Sequence, residues 1–335
     1  MPHLTLRRWF WSLAALFVAL AAAGVLSVAL GSTWIPPRDV LAALSGTDGT
    51  SGVIVRDVRL PRVLLAGVVG GALAVAGAVF QALLRNALAD PFVLGVSGGA
   101  GLGAVLAVAM GGQITIAGLA GMPVFAFLGA LVAIVLVYAF ARTGGVVNLH
   151  TMLLAGVVTN AICSSAIMAL AVTLSFDQFQ AVLFWLMGHL STTHLATVAH
   201  LSLYVLAGMV VLFAVARDLN QMSLGESQAA ILGTNVEWTK RLAFLGASLI
   251  TGGAVAAAGL VGFVGLIVPH AMRLVVGPDH RLLIPGSFLG GAAFLMLADA
   301  AARTVIAPTE LPVGVITALI GGPAFLVLLV RRSRR

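Results

Sequence analysis

Charge is what this sequence has least of. Of its 335 residues, 9% are charged and 61% are hydrophobic, whereas a soluble domain carries about 25% charged residues. That scarcity excludes a water-soluble fold, because roughly a quarter of the unfolded surface of a chain this long would still face water. Cysteine is nearly absent. The single Cys163 sits in an apolar run, which excludes a disulfide framework and a cysteine-based metal site. Lysine occurs once, at Lys240, after Thr239. A phosphate-binding G-x-x-x-x-G-K-[ST] loop needs its lysine before the hydroxyl residue, so the chain has no such loop. The seven histidines are scattered, without H-E-x-x-H or a comparable ligand spacing, and no metal site is expected.

Long apolar runs are what the sequence has in quantity. A spanning helix takes about 20 mostly apolar residues. Ten segments qualify: 9–30, 63–84, 92–110, 114–140, 152–174, 195–216, 242–258, 262–276, 282–302 and 313–330. The expected fold is therefore all-α and polytopic, one transmembrane domain over residues 1–335. The eighth segment is short and is expected to lie among other helices or to cross only in part. Residues 177–194 are less apolar and predict a short helix on one face of the membrane. Arg7-Arg8 before the first run imitates a secretory signal, but the run is long for one and nine more follow, so it reads as the first span.

Basic residues orient such a chain. With both termini inside, the inner side receives Arg7, Arg8, Arg85, Arg142, Arg217, Lys240, Arg241, Arg273, Arg281, Arg331, Arg332, Arg334 and Arg335. The outer side receives Arg38, Arg56, Arg59, Arg62 and Arg303. Thirteen against five of the 18 basic residues is a strong bias. The net charge of +7 then needs no nucleic-acid partner; anionic lipid and the insertion machinery select it.

One stretch breaks the apolar monotony: RNALADPFVLGVSGGAGLGA, residues 85–104. Its glycines fit a loose G-x-G-x-x-[GA] dinucleotide pattern. That reading needs a preceding strand and an acid about 20 positions later, but a membrane helix precedes and no acid follows until Asp177. Gly95, Ser97, Gly99, Gly101 and Gly103 read better as a close-packing helix face, since small side chains let membrane helices approach.

The same stretch resembles a permease signature. Asn86-Ala-Leu-Ala-Asp90-Pro91 and Leu94-Gly-Val-Ser97-Gly-Gly-Ala100 are similar to the FecCD-type family, the membrane subunits of type II ABC importers for ferric siderophores, haem and cobalamin. Other stretches agree in order: Arg59-Leu-Pro61-Arg62; Leu224-Gly225-Glu226 with Ala229 and Leu232-Gly233; Gly262-Phe-Val-Gly265-Leu-Ile-Val-Pro269-His270; Gly277-Pro-Asp279-His280-Arg281; Leu297-Ala-Asp299; and Glu310-Leu-Pro312-Val-Gly314. The resemblance implies ten helices per subunit in the type II importer fold, a homodimer in the bacterial cytoplasmic membrane with a central pathway, two separate ATPase subunits inside and a periplasmic or lipoprotein binding protein outside. ATP and Mg then belong to the ATPase subunits, and this chain holds no cofactor and no catalytic site.

The resemblance also assigns residues. The inner loop 217–239 is the longest polar stretch on its face. Ser223 to Glu226 offers a helix start and Gly233 a stop. By resemblance it is the coupling helix that fits the ATPase, carried by Leu224, Gly225, Glu226, Ala229 and Gly233. The resemblance places an inner gate just before the fifth span, at Val147 and Asn148, and a pathway wall along that span and the tenth, with Thr159, Asn160 and Ser164 in the fifth. It also matches Arg59, Arg62 and Arg303 to arginines that meet acidic residues of the binding protein. A competing account stays open there: Asp299 and Arg303 are four apart, a spacing that favours a mutual ion pair, and Arg59 and Arg62 bind lipid phosphate. The alternative class is an ion-coupled secondary transporter of a small organic solute, which needs an intramembrane charge relay; no clear relay is visible. The sequence leaves the cargo open among siderophore, haem and cobalamin.

Overall fold

The computed structural model describes residues 5–31, 33–45, 50–111, 115–116, 119–190 and 194–333. Arg334 and Arg335, counted above on the inner side, and position 114, where the fourth run was expected to begin, lie outside the described residues. The helices are α1 (Leu6–Ala29), α2 (Pro37–Leu44), α3 (Thr50–Val53), α4 (Leu60–Leu83), α5 (Val96–Ala109), α6 (Gly121–Ala141), α7 (Leu149–Ala171), α8 (Phe176–Leu186), α9 (Leu195–Ala214), α10 (Ala216–Met222), α11 (Glu226–Ile231), α12 (Val236–Ala258), α13 (Val264–Val275), α14 (His280–Ala302) and α15 (Val313–Ser333). A π-helical turn, Ile54–Arg59, runs into α4, and a 3-10 turn, Pro91–Leu94, precedes α5. Two short antiparallel hairpins complete the description: β1 (Thr115–Ile116) with β2 (Leu119–Ala120), and β3 (Arg142–Thr143) with β4 (Val146–Val147).

Among the described residues, seven helical segments are long and apolar enough to cross a membrane, and α5, α13 and α15 are shorter apolar helices. Together they account for the ten expected spans. The short eighth run is α13, and α8 supplies the extra helix foreseen over 177–194.

Helix α4 is the hub: its most apolar stretch is 89% buried, against 11% for that of α7. Glycine makes the hub possible. A side chain at Gly70 would strike the backbone of Gly291 on α14, and one at Gly77 would strike the carbonyl of Gly265 on α13. The Gly99 and Gly103 positions meet the α6 backbone at Gly129 and Phe125 in the same way, as expected of a close-packing face, whereas Gly101 faces Ile167 and Leu186 and Gly95, at φ 88°, turns the chain into α5.

Proline inside membrane helices leaves the carbonyl four residues earlier without its donor. Two of these carbonyls are rescued by side chains, as an apolar surround demands. Pro269 frees Gly265, and the Gln81 amide on α4 donates to Gly265 O at 3.4 Å and Leu266 O at 3.0 Å. Pro285 frees Arg281, whose carbonyl accepts the Trp9 indole N–H at 3.2 Å. The second bond ties α1 to the start of α14. It also places the first turn of α1 beside the α14 N-terminus, at the end of the bundle that gathers Arg8, Arg217, Arg241 and Arg281.

Candidate functional site

Three regions carry the residues singled out by sequence. The first is a charge cluster at the end of the bundle opposite that arginine-rich end. Asp299, fully buried on α14, accepts Arg62 Nε at 3.1 Å and Arg62 Nη2 at 3.0 Å on one oxygen, and Arg303 Nε at 2.9 Å on the other. Arg62 reaches on to Glu310 at 2.7 Å. Arg303 also donates to the Leu30 and Ser27 carbonyls, both at 2.9 Å. Arg59 turns its guanidinium onto the carbonyls of Val28 at 2.8 Å, Ala29 at 3.0 Å and Thr33 at 2.6 Å. These carbonyls lie at and just beyond the C-terminal end of α1, where the helix leaves acceptors unpaired.

Arg59, Arg62 and Arg303, matched by resemblance to arginines that meet a binding protein, are 6%, 8% and 5% exposed and make their contacts within this chain. The ion pair between Asp299 and Arg303 expected by the competing account is present. Its lipid-phosphate partners for Arg59 and Arg62 are replaced by backbone carbonyls and by Asp299 with Glu310. Arg59 meets carbonyls at the C-terminal end of α1, a favourable place for a cation. Sequence reasoning missed Arg62 as the second partner of Asp299, since 237 residues separate them.

The second region is α7 and its surroundings. The structure divides the expected pathway residues. Thr159 lines an apolar groove of about 780 Å³ between α5, α6 and α7, together with Leu102, Phe125, Leu136 and Ile162. Asn160 points elsewhere: its amide donates to the Phe92 carbonyl at 2.8 Å and its oxygen accepts the Gly98 N–H at 3.0 Å. It thereby clasps the break between the 3-10 turn and α5. With Asp90, Ser97 and Phe263 it borders a smaller cavity of about 350 Å³. Burial pushes the Asp90 carboxyl up, an effect opposed by the Phe92 N–H that caps onto it. Ser164 is exposed on the outer face of α7. Val147 and Asn148 sit at the other end of this helix; Asn148 caps it by accepting the His150 and Thr151 N–H groups.

The third region is the polar segment between α9 and α12. It folds as two short helices, α10 and α11, joined by a turn at Gly225 whose φ of 123° suits glycine. Leu224, Ile231 and Leu232 are exposed at 60%, 85% and 55%, while Ala229 is buried. Gly233, at φ 87°, ends α11. The five residues expected here, Leu224, Gly225, Glu226, Ala229 and Gly233, thus fall in one helical knuckle, with Leu224 on its exposed side and Ala229 on its buried side. Two links fix it to the bundle. Asn220 on α10 donates to Asp279 at 2.8 Å and accepts the His280 N–H at 2.9 Å, joining α10 to the start of α14. Glu226 pairs with Lys240 on α12 at 2.6 Å. Both Asn220 and Lys240 escaped the sequence reading as partners. Lys240 had one visible signal, its being the chain's single lysine.

The chain is 46% identical over 290 residues to a cobalamin import permease of Halobacterium salinarum, covering 87% of this chain and 77% of that one. It is 42% identical over 280 residues to the hemin transport permease of Yersinia pestis, covering 83% and 84%. It is 40% identical over 328 residues to an ABC transporter permease of Bacillus subtilis, covering 95% and 93%. Among solved structures, a metal-chelate-type ABC transporter in an inward-facing conformation superposes with a TM-score of 0.82 at 29% identity, over 96% of this chain and 99% of that one. Residues 19–331 match the FecCD transport family. An exposed two-helix knuckle set on a glycine-packed bundle of ten apolar helices is thus the permease subunit of an ABC importer, and the chain belongs to the FecCD transport family.

Proposed function

We propose that two copies of this chain form a homodimer around a central pathway. A soluble binding protein delivers a metal chelate to the end that carries the Asp299 cluster. Two separate ATPase subunits, which hold the ATP and Mg, engage α10 and α11 at the arginine-rich end. This chain supplies one permease domain and no cofactor or ATPase site of its own. The arginine-rich end is cytoplasmic, as are both termini, and the membrane is the bacterial cytoplasmic membrane; thirteen of 18 basic residues on one side support that orientation.

One observation carries the dimer reading: α7 is a 23-residue apolar helix whose most apolar stretch is only 11% buried, the least of the seven long spans. A second copy around a two-fold axis would cover this face together with the groove on α5 and α6 beside it. Between Met152 and Ala171 the helix bears no charged residue, and its polar groups are Thr159, Asn160, Ser164 and Ser165. A weakly polar wall suits a bulky chelate that must also leave.

We infer cobalamin as the first cargo to test, since a relative named for its import reaches 46% identity, against 42% for one named for hemin transport. The experiment is uptake of labelled cyanocobalamin, hemin and a ferric siderophore into vesicles holding the permease with its ATPase subunits and binding protein. Expected is ATP-dependent uptake of cyanocobalamin. Uptake driven by an ion gradient without the ATPase subunits would establish the secondary transporter instead.

A further inference from the structure

Lys240 sits at a junction that the transport reading leaves unused. Its ammonium has three N–H donors and meets three acceptors: Glu226 of α11 at 2.6 Å, Glu237 of its own helix at 3.1 Å, and the carbonyl of Val147 in β4 at 3.2 Å. The side chain is 3% exposed, whereas the two glutamates are 36% and 30% exposed. Glu237 completes a ring, because its second oxygen accepts the Val147 N–H at 2.9 Å. Both backbone groups of Val147 are therefore held by one turn of α12. The residue after Lys240, Arg241, donates to the Gly145 carbonyl at 2.9 Å, so the whole β3–β4 hairpin hangs on the start of α12. The next residue, Asn148, caps α7. A continuous path of bonds runs from α11 through Lys240 to the hairpin and on to the first turn of α7.

The choice of residue is informative. Of 18 basic residues, 17 are arginine and the exception is this one. A guanidinium spreads five donors around a rigid plane. The Lys240 ammonium instead directs three donors from a single atom to acceptors on three segments. We propose that Lys240 is a positioning residue that transmits displacement of α11 to the β3–β4 hairpin and the N-terminal turn of α7, so that nucleotide-driven movement of the knuckle shifts the mouth of the pathway. This rests on the reading that α11 engages the ATPase, and the two are separable. The contacts of Lys240 lie within this chain, on the buried side of α11. The contacts with the ATPase lie on its exposed side, at Leu224, Ile231 and Leu232. Distance alone does not make a relay; the element must have two arrangements that both ends bias. The partly exposed glutamates allow this, because water can replace one contact while the ammonium keeps the others.

The test uses the complete transporter, permease with ATPase subunits, in lipid vesicles. A Val146→Cys reporter is placed on the hairpin in a Cys163→Ser background, and maleimide labelling is compared without nucleotide and with ATP plus vanadate. The parent is expected to change its labelling rate about five-fold or more, the low end of inter-site couplings. In Lys240→Met and in Glu237→Gln that difference is expected to vanish while the ATPase subunits stay bound. If Lys240→Met does not accumulate, Glu237→Gln decides, since it leaves the buried lysine in place and lies on α12, outside the knuckle. A nucleotide response that persists in Glu237→Gln overturns the relay, as does a parent that shows no response. Loss of the ATPase subunits in Glu237→Gln also overturns it, because the ring then acts at the partner's surface. The docking reading is tested separately by Ile231→Glu: subunits that still bind this variant overturn docking at α11 without touching the Lys240 result.

Discussion

The two charge clusters of this permease are built from the same chemistry and solve different problems. At one end, Asp299 is fully buried between Arg62 and Arg303, which are themselves almost buried. At the other, Lys240 is buried but its acids Glu226 and Glu237 are about a third exposed. The first cluster joins α4, α14 and the end of α1, elements already locked by glycine contacts such as Gly70 with Gly291. The second joins α11, α12 and a hairpin, elements that share few backbone contacts of that kind. Burial on all sides makes an ion network strict, since any unpaired member is left in a medium that cannot solvate it. Partial exposure makes the network adjustable, since water stands in for a lost partner. The lesson is that an ion pair reports rigidity only together with the burial of both its members.

The largest effect should come from breaking the strict cluster. Asp299→Ala leaves Arg62 and Arg303 facing each other without their shared anion. The loss is expected to be about 3–5 kcal/mol, read as a large fall in the thermal unfolding midpoint of detergent-solubilised protein and in the amount of folded permease. Docking of the binding protein should fall only in proportion to folded protein. A variant that folds normally and loses docking alone would return Arg62 and Arg303 to the docking role.

A smaller loss is expected at the adjustable end. Lys240→Met removes three donors, but only the Val147 carbonyl is left dry; both glutamates turn to water. About 1–3 kcal/mol follows, the range for one hydrogen bond to a charged group together with an unsatisfied acceptor. A loss equal to that of Asp299→Ala would erase the distinction between the clusters.

The legibility of these regions from sequence divides along the same line. Ten spans, the short eighth helix and the helical knuckle near Glu226 follow from local signals: run length, glycine stops and capping residues. Asp299 with Arg303 was visible because four residues on a helix share a face. The pairing of Arg62 with Asp299, and of Lys240 with Glu226 and Val147, is set by how helices distant in sequence fold together, and no local pattern encodes it. The docking expectation for Arg59, Arg62 and Arg303 came from the resemblance alone; that the carbonyls of Val28 and Ala29 and the acid of Asp299 hold these side chains inward is set by long-range packing and had no local signal. Thr159 and Asn160 are adjacent, and a helix turns adjacent side chains about 100° apart, so they serve different surfaces.

The one corner of the strict cluster that reaches water sharpens the comparison. Glu310 is 44% exposed and holds Arg62 at 2.7 Å. Glu310→Gln keeps a hydrogen-bond acceptor and removes one charge that solvent already screens. The expected loss is below about 1 kcal/mol, measured by the same unfolding midpoint. A loss near that of Asp299→Ala would mean that the cluster acts as a unit regardless of exposure.

The smallest effect belongs to the second anchor of the knuckle. Asp279 accepts Arg281 Nη2 at 2.6 Å and the Asn220 amide at 2.8 Å, and it caps α14 through the Arg281 N–H. The Arg281 guanidinium, with help from Asn220, holds the Asp279 carboxyl down to about 2 from an ordinary 3.8. A folded-state value below the unfolded one means that the unfolded chain binds the proton more readily. The contribution is therefore complete above pH 3.8 and is lost as pH falls through about 2. Arg281 is 51% exposed, so solvent screens the pair and the effect is modest. In Asp279→Asn the unfolding midpoint should fall slightly at neutral pH, and the gap from the parent should close on acidification through that window. A gap that stays constant from neutral pH to pH 2 would show that Asp279 acts as an uncharged cap, and that the α10 anchor owes nothing to charge.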